Sequence, residues 1–186
     1  MLVWAFVVPG GTRTLDRHWW EWMEDTWSRP AGRAARFLAW LGNGYGRGLV
    51  VAILALPLLA RRRWLGIAAL GVVELFTPLT TAALKALSNQ ARPPHRLVYT
   101  HGSSFPSGHT SYAAATLVAL VLLYSVPGPR RRLWWALSAL GVAAMGWSRT
   151  YLHAHWLSDV LAGGAWGWAL ALVVFGVAQV AASSAR

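Results

Sequence analysis

The chain is 186 residues long, 56% hydrophobic and only 12% charged, where a soluble domain of this size carries about 25% charge. This composition predicts a single membrane-embedded domain over residues 1–186, all-α, with no room for a second soluble unit. Cysteine is absent, which excludes a disulfide framework, a thiolate nucleophile and a zinc–thiolate site, and sixteen of the seventeen basic residues are arginine.

In chain order, residues 1–8 are apolar but too short to span a bilayer, and they lack the basic start and length of a secretory signal. They read as the remnant of a first transmembrane helix or as a short buried plug. Residues 10–43 carry five arginines, partly balanced by Asp16, Glu21, Glu24 and Asp25. Arg17, Glu21, Glu24 and Ser28 recur at helical spacing as a polar stripe, with Leu15, Trp19, Trp22, Met23 and Trp27 mostly on other faces. That pattern predicts an interfacial helix lying flat on the bilayer, and a soluble amphipathic helix covering the bundle would satisfy it equally.

Apolar spans follow at Gly44–Ala60, where Arg47 is expected to snorkel to the interface, and at 64–87, 110–126, 133–152 and 156–182. The count is therefore five transmembrane helices, or six with the truncated first one. Arg61 to Arg63 and the connection from Pro127 to Arg132 carry three arginines each, which assigns both to the cytoplasmic side. Such loop arginines suit anionic lipid better than nucleic acid, and the thirteen tryptophans suit interfacial belts. Glu74 is a lone acid in mid-span, expected either to be buried with a polar partner or to line a cavity.

Three polar clusters lie at the span ends opposite the arginine triplets: Lys85 with Arg92-Pro93, then Pro106-Ser107-Gly108-His109, then Ser148-Arg149 with His155 and Asp159. His155 and Asp159 are four apart and would share a helical face, so the carboxylate would hold the Nδ1 proton and leave Nε2 free to attack. Taken alone, the pair is equally a histidine hydrogen-bonded at a helix start. Ser107 and Gly108 precede a helix whose unpaired N–H groups favour an anion, with His109 beside them as a general acid, although proline, serine and glycine also punctuate ordinary turns. Lys85, Arg92 and Arg149 are candidate phosphate ligands, and each singly has interfacial snorkelling as an alternative. Snorkelling does not explain why cations, backbone donors and both histidines gather on one face.

Lys85-x6-Arg92-Pro93, Pro106-Ser107-Gly108-His109 and Ser148-Arg149-x5-His155-x3-Asp159 resemble, in order and spacing, the three-part signature of the type-2 phosphatidic acid phosphatase superfamily. The match covers about residues 64–164. The resemblance implies a six-helix membrane bundle and metal-independent hydrolysis of lipid phosphate monoesters or diphosphates, with no cofactor. It implies His155 as nucleophile, Asp159 as its partner, and His109 as general acid and later base. Lys85, Arg92, Ser107, Gly108 and Arg149 would hold the phosphate. The chain departs from the family at His153, where a small residue is common and a substrate-facing or interfacial role is expected. It departs again at Leu157, where a proline is usual.

The expected function is thus a membrane lipid phosphatase acting on a polyprenyl diphosphate of the undecaprenyl type through a phosphohistidine. Phosphatidic acid or phosphatidylglycerol phosphate is the alternative substrate. A non-catalytic transporter or binder of anionic lipid headgroups is the alternative of another class, and it leaves His109 and the His155–Asp159 pair unexplained. The expected location is a bacterial plasma membrane with the site facing outward, in contact with membrane lipids and not with nucleic acid.

Overall fold

A computed structural model describes residues 13–184, so the apolar stretch at 1–8 lies outside the described residues. Helices α1 (Arg13–Asp25), α2 (Arg29–Leu41), α3 (Gly44–Ala60), α4 (Trp64–Ser88), α5 (Gly108–Tyr124), α6 (Pro129–Tyr151) and α7 (Leu157–Ser184) follow one another, with no strand among the described residues. The five expected apolar segments coincide with helices α3 to α7. Helices α4 and α7 are long and apolar enough to cross a membrane, and the bent pair α2–α3 passes the same test as one span broken at 63°. Large apolar side chains such as Leu75, Leu79, Leu137, Leu161 and Val177 remain exposed around the bundle, as a lipid-facing surface requires.

Helix α5 is the centre, buried along most of its length and packed by α4, α6 and α7. Its closest partner is α7, and glycine explains the approach. A Cβ at Gly163 would stand 2.5 Å from the carbonyl oxygen of Ser107, and one at Gly167 would overlap that of Ser111. Small residues four apart let two helix backbones touch, as membrane helix pairs favour. The contact places the first turn of α7 directly beside the first turn of α5, where two of the three polar clusters meet.

The single polar stripe expected across residues 17–28 is two helices. Helix α1 ends at Asp25, and Ser28 caps α2 instead, accepting from the Ala31 N–H at 3.4 Å with Pro30 in the first turn. The hydroxyl of Tyr151 fixes the break, taking the Ser28 N–H at 2.7 Å and donating to the Thr26 carbonyl at 3.0 Å. Met23, Ala35, Ala39, Tyr151 and Leu152 form a small core that pins α1 and α2 to the end of α6.

Arg47 does not snorkel. Its guanidinium donates to Glu74 Oε2 at 3.2 and 3.3 Å and lies 4.4 Å from the centre of the Tyr112 ring, while Thr116 donates to Glu74 Oε1 at 3.0 Å. A carboxylate within an apolar span is costly without such partners, so the two charges hold each other inside the bundle.

Candidate active site

The loop between α4 and α5 and the turn between α6 and α7 converge on a cavity of about 370 Å³. Lys85, Arg92, Gly108, His109, Arg149 and His155 all line it, so the tertiary fold brings residues from all three sequence clusters to one wall. Asp159 lies behind His155 and is fully buried.

The His155–Asp159 pair forms, though not by the route its spacing suggests. His155 sits in the turn before α7, whose helix begins at Leu157. Asp159, the third residue of that helix, reaches back to accept the Trp156 N–H at 2.9 Å, as the acid of a capping box does. The same Oδ2 faces His155 Nδ1 at 3.3 Å and accepts from Ser104 Oγ, while Oδ1 accepts from Gln90 Nε2 at 3.2 Å. With Nδ1 committed to the carboxylate, Nε2 carries the lone pair and faces Arg92 Nη1 at 3.3 Å. Burial, reinforced by the positive charges of Arg149, Lys85 and Arg92, holds the His155 pKa well below its ordinary value. The imidazole is therefore neutral and nucleophilic near neutral pH.

The three cations are not equivalent. Arg92 is committed to backbone carbonyls: Gly102 at 3.1 Å, His101 at 2.7 Å, Ser103 at 3.1 Å and Ala154 at 2.7 Å. Lys85 Nζ likewise donates to Ser103 at 2.7 Å and Ser104 at 3.2 Å. These two side chains shape the loop and the turn that carries His155. Arg149 is 3% exposed, and its Nε has no hydrogen-bond partner among the described residues. An unsatisfied buried guanidinium N–H costs free energy that an anion in the cavity would recover.

His109, in the first turn of α5, also has a buried Nε2 without a partner among the described residues. The backbone of Ala39 is its hydrogen-bonding neighbour, and Gly42 lies against its ring, so the elbow between α2 and α3 forms its back wall. Gly108 lines the cavity, but Ser107 does not. Ser107 is fully buried, donates its N–H to the Asp159 carbonyl at 3.0 Å, and receives the Thr110 hydroxyl at 3.1 Å. In this structure Ser107 joins α5 to α7 rather than offering its N–H to a ligand.

His153 does not face the cavity. Its backbone is left-handed (φ 51°) and its ring is buried, 5.6 Å from the Trp20 ring, with Nδ1 3.1 Å from the His95 carbonyl. It fastens the turn at residues 152–156 to the loop and to α1.

Four residues that sequence reasoning missed support the site. Ser104 and Gln90 hold the carboxylate of Asp159. Asp16, buried on α1, accepts the Ser158 N–H at 2.8 Å and its hydroxyl at 2.7 Å, and so caps α7 from another helix. Arg36 on α2 reaches the cavity wall. Only Arg36 left a signal, since it shares a helical face with Ala39 and Trp40. No group of three or more His, Asp or Glu able to hold a metal ion occurs among the described residues.

The family model described as the PAP2 superfamily matches residues 66–182. The chain is 34% identical over 126 residues to a lipid A 1-phosphatase from Rhizobium johnstonii, a match covering 60% of this chain and 48% of that protein. It is also 34% identical over 115 residues to a lipid A 1-phosphatase from Rhizobium etli, covering 56% of this chain and 46% of that one. The matched region thus spans about half the length of these curated relatives. Among solved structures, a transmembrane PAP2 type phosphatidylglycerolphosphate phosphatase from Bacillus subtilis superposes with a TM-score of 0.81 at 25% identity, covering 94% of this chain and 90% of that one. Aquifex aeolicus LpxE shares the fold, with a TM-score of 0.71 at 22% identity over 87% of this chain and 95% of that one. With the apolar α4 and α7, these likenesses make the chain a membrane-embedded helical bundle.

Proposed function

The chain belongs to the PAP2 superfamily, and from that membership we propose that it is a lipid phosphatase working through a phosphohistidine. The observation that carries this reading is one cavity shared by His155, backed by Asp159, and by His109 Nε2 and Arg149 Nε, neither of which has a hydrogen-bond partner among the described residues. A phosphate monoester or diphosphate held by Arg149 presents its phosphorus to His155 Nε2. As the N–P bond forms, the bond from phosphorus to the lipid oxygen breaks, and His109 gives its proton to that oxygen. Asp159 stabilises the charge that the His155 ring acquires. His109 then takes a proton from water, whose oxygen attacks phosphorus and releases inorganic phosphate and free His155. Lys85, Arg92 and Gly108 complete the pocket, and Ser107 supports it through Asp159.

The substrate we favour is a polyprenyl diphosphate. The loop Asn89 to Ser107 folds back on its own carbonyls, leaving little protein to clasp a bulky headgroup, and several cations suit a highly charged one. Phosphatidylglycerol phosphate is the second reading, favoured by the likeness to the Bacillus subtilis structure. Helix α4, with 25 residues, is about 37 Å long and separates the arginines at 61–63 from the cavity. That separation supports an outward-facing site in a bacterial plasma membrane.

Purified protein in detergent should release phosphate from polyprenyl diphosphate with a higher kcat/KM than from phosphatidylglycerol phosphate or phosphatidic acid, and His155→Ala should abolish release from all three. Binding of phosphate without turnover would instead make the protein a headgroup binder. A preference for phosphatidylglycerol phosphate would make the second reading the correct one.

A further inference from the structure

The charged residue on the cavity wall that the mechanism leaves unused is Arg36. It shares a face of α2 with Ala39 and Trp40, at i, i+3 and i+4, and these three line the cavity together with Asn43 of the elbow. Within that face Arg36 is the only charged side chain. Its Nη1 donates to the Leu97 carbonyl at 3.0 Å, and this is the one hydrogen bond its guanidinium makes among the described residues. The remaining N–H groups of its planar fork are open to an anion.

Which part of a substrate lies against this face follows from the two histidines. In-line displacement puts the leaving oxygen opposite the attacking Nε2 of His155, and the acid that protonates it must stand beside it. That acid, His109, is backed by Ala39 and Gly42 of the α2–α3 elbow. The leaving group therefore departs along α2. In a monoester the atom beyond the leaving oxygen is an uncharged carbon. In a diphosphate it is a second phosphorus bearing ionised oxygens, and these remain on the product when the terminal phosphorus bonds to His155 and its bond to the bridging oxygen breaks.

We propose that Arg36 is the ligand for the second phosphate of a diphosphate substrate, and so sets the preference for diphosphates over monoesters. The proposal rests on the phosphatase reading and specifies its substrate class. Arg92 and Lys85 are already committed to loop carbonyls, and Arg92 Nη1 faces the attacking Nε2 of His155 at 3.3 Å, opposite the leaving oxygen of an in-line displacement.

Farnesyl diphosphate and farnesyl monophosphate share a tail and differ by one phosphate, which makes them the test pair. Wild type should favour the diphosphate. Arg36→Gln should lower kcat/KM for the diphosphate about tenfold while changing the monophosphate less than about twofold, the scale of one lost charge-assisted contact. Arg36→Lys should fall between, keeping the charge but losing the fork. Inorganic diphosphate should also weaken as an inhibitor of Arg36→Gln relative to inorganic phosphate. Equal loss on both farnesyl substrates in both variants, with a lowered melting temperature, would make Arg36 a clamp on Leu97 and overturn the proposal. Unchanged selectivity, or a wild type that favours the monophosphate, would overturn it too. Absence of turnover on either substrate by wild type would instead bring down the phosphatase reading itself.

Discussion

A methyl group on Gly42 would stand 2.7 Å from Cδ2 of His109, inside the contact distance of two carbons. The bare backbone of Gly42 thus sets where the imidazole sits. Gly42→Ala should displace the ring and lower kcat on alkyl phosphates at least about tenfold, sparing nitrophenyl phosphate, whose leaving group needs no proton. Gly141→Ala is the matched control, since its Cβ would meet Leu117 Cδ1 at the same 2.7 Å, away from the cavity. Equal effects of the two variants on both substrates would reduce the Gly42 result to general overpacking.

Asp159 holds His155 in one tautomer through Nδ1. Asp159→Asn presents an amide that can donate to Nδ1, which drives the proton onto Nε2 and removes the attacking lone pair. A loss of about 10³–10⁴-fold in kcat is expected, by analogy with the same exchange in serine protease triads. Ser104→Ala removes one hydrogen bond to the carboxylate and should cost only about tenfold. Under the proposed mechanism, rapid-quench measurement of a phosphohistidine should locate both losses in its formation.

His155 is held neutral by burial first and by neighbouring cations second. Its folded pKa lies below the unfolded value of about 6.5, so the folded state binds fewer protons between the two. The stability tied to His155 is complete above about pH 6.5 and declines as pH falls below it. The acid limb of kcat/KM assigned to the nucleophile should likewise lie below about pH 6.5, once the substrate's own ionisation near about 6 is separated by titrating the free lipid. An enzyme limb at or above that value would contradict a neutral, buried nucleophile.

Asp16 caps α7 from α1 through the N–H and hydroxyl of Ser158, one residue before Asp159. Asp16→Ala should lower stability by about 1–2 kcal/mol, the scale of a lost helix cap, read as an earlier thermal transition in detergent. Asp16→Asn, which keeps one acceptor oxygen, should lose less. Identical transitions for both variants and wild type would mean α1 docks without this contact.

Arg47 and Glu74 neutralise each other inside the bundle. Arg47→Met leaves a carboxylate without its cation and should destabilise by about 3–5 kcal/mol, whereas the double variant Arg47→Met with Glu74→Leu should recover most of that loss. Additive destabilisation in the thermal transitions would show that the pair does not act as a unit.

The sequence by itself determined the apolar helices and the motif residues of the candidate site. Lipid forces backbone polar groups into helices, so long apolar runs are legible as α3 to α7. In so apolar a chain, Lys85, Arg92, His109, Arg149, His155 and Asp159 also stand out, because each charge or imidazole beside a span needs a physical reason. What the tertiary structure decided is how those groups divide their work. Ser104 and Gln90 reach Asp159 across 55 and 69 residues, and Asp16 reaches Ser158 across 142, separations that leave no periodic trace in a chain. The commitment of Arg92 and Lys85 to carbonyls, the open donor on Arg149 and the placing of Arg36 on the same wall depend on how loops close over the bundle. Local periodicity reports which face of a helix is apolar; it does not report which backbone carbonyls a folded loop will turn toward a buried cation.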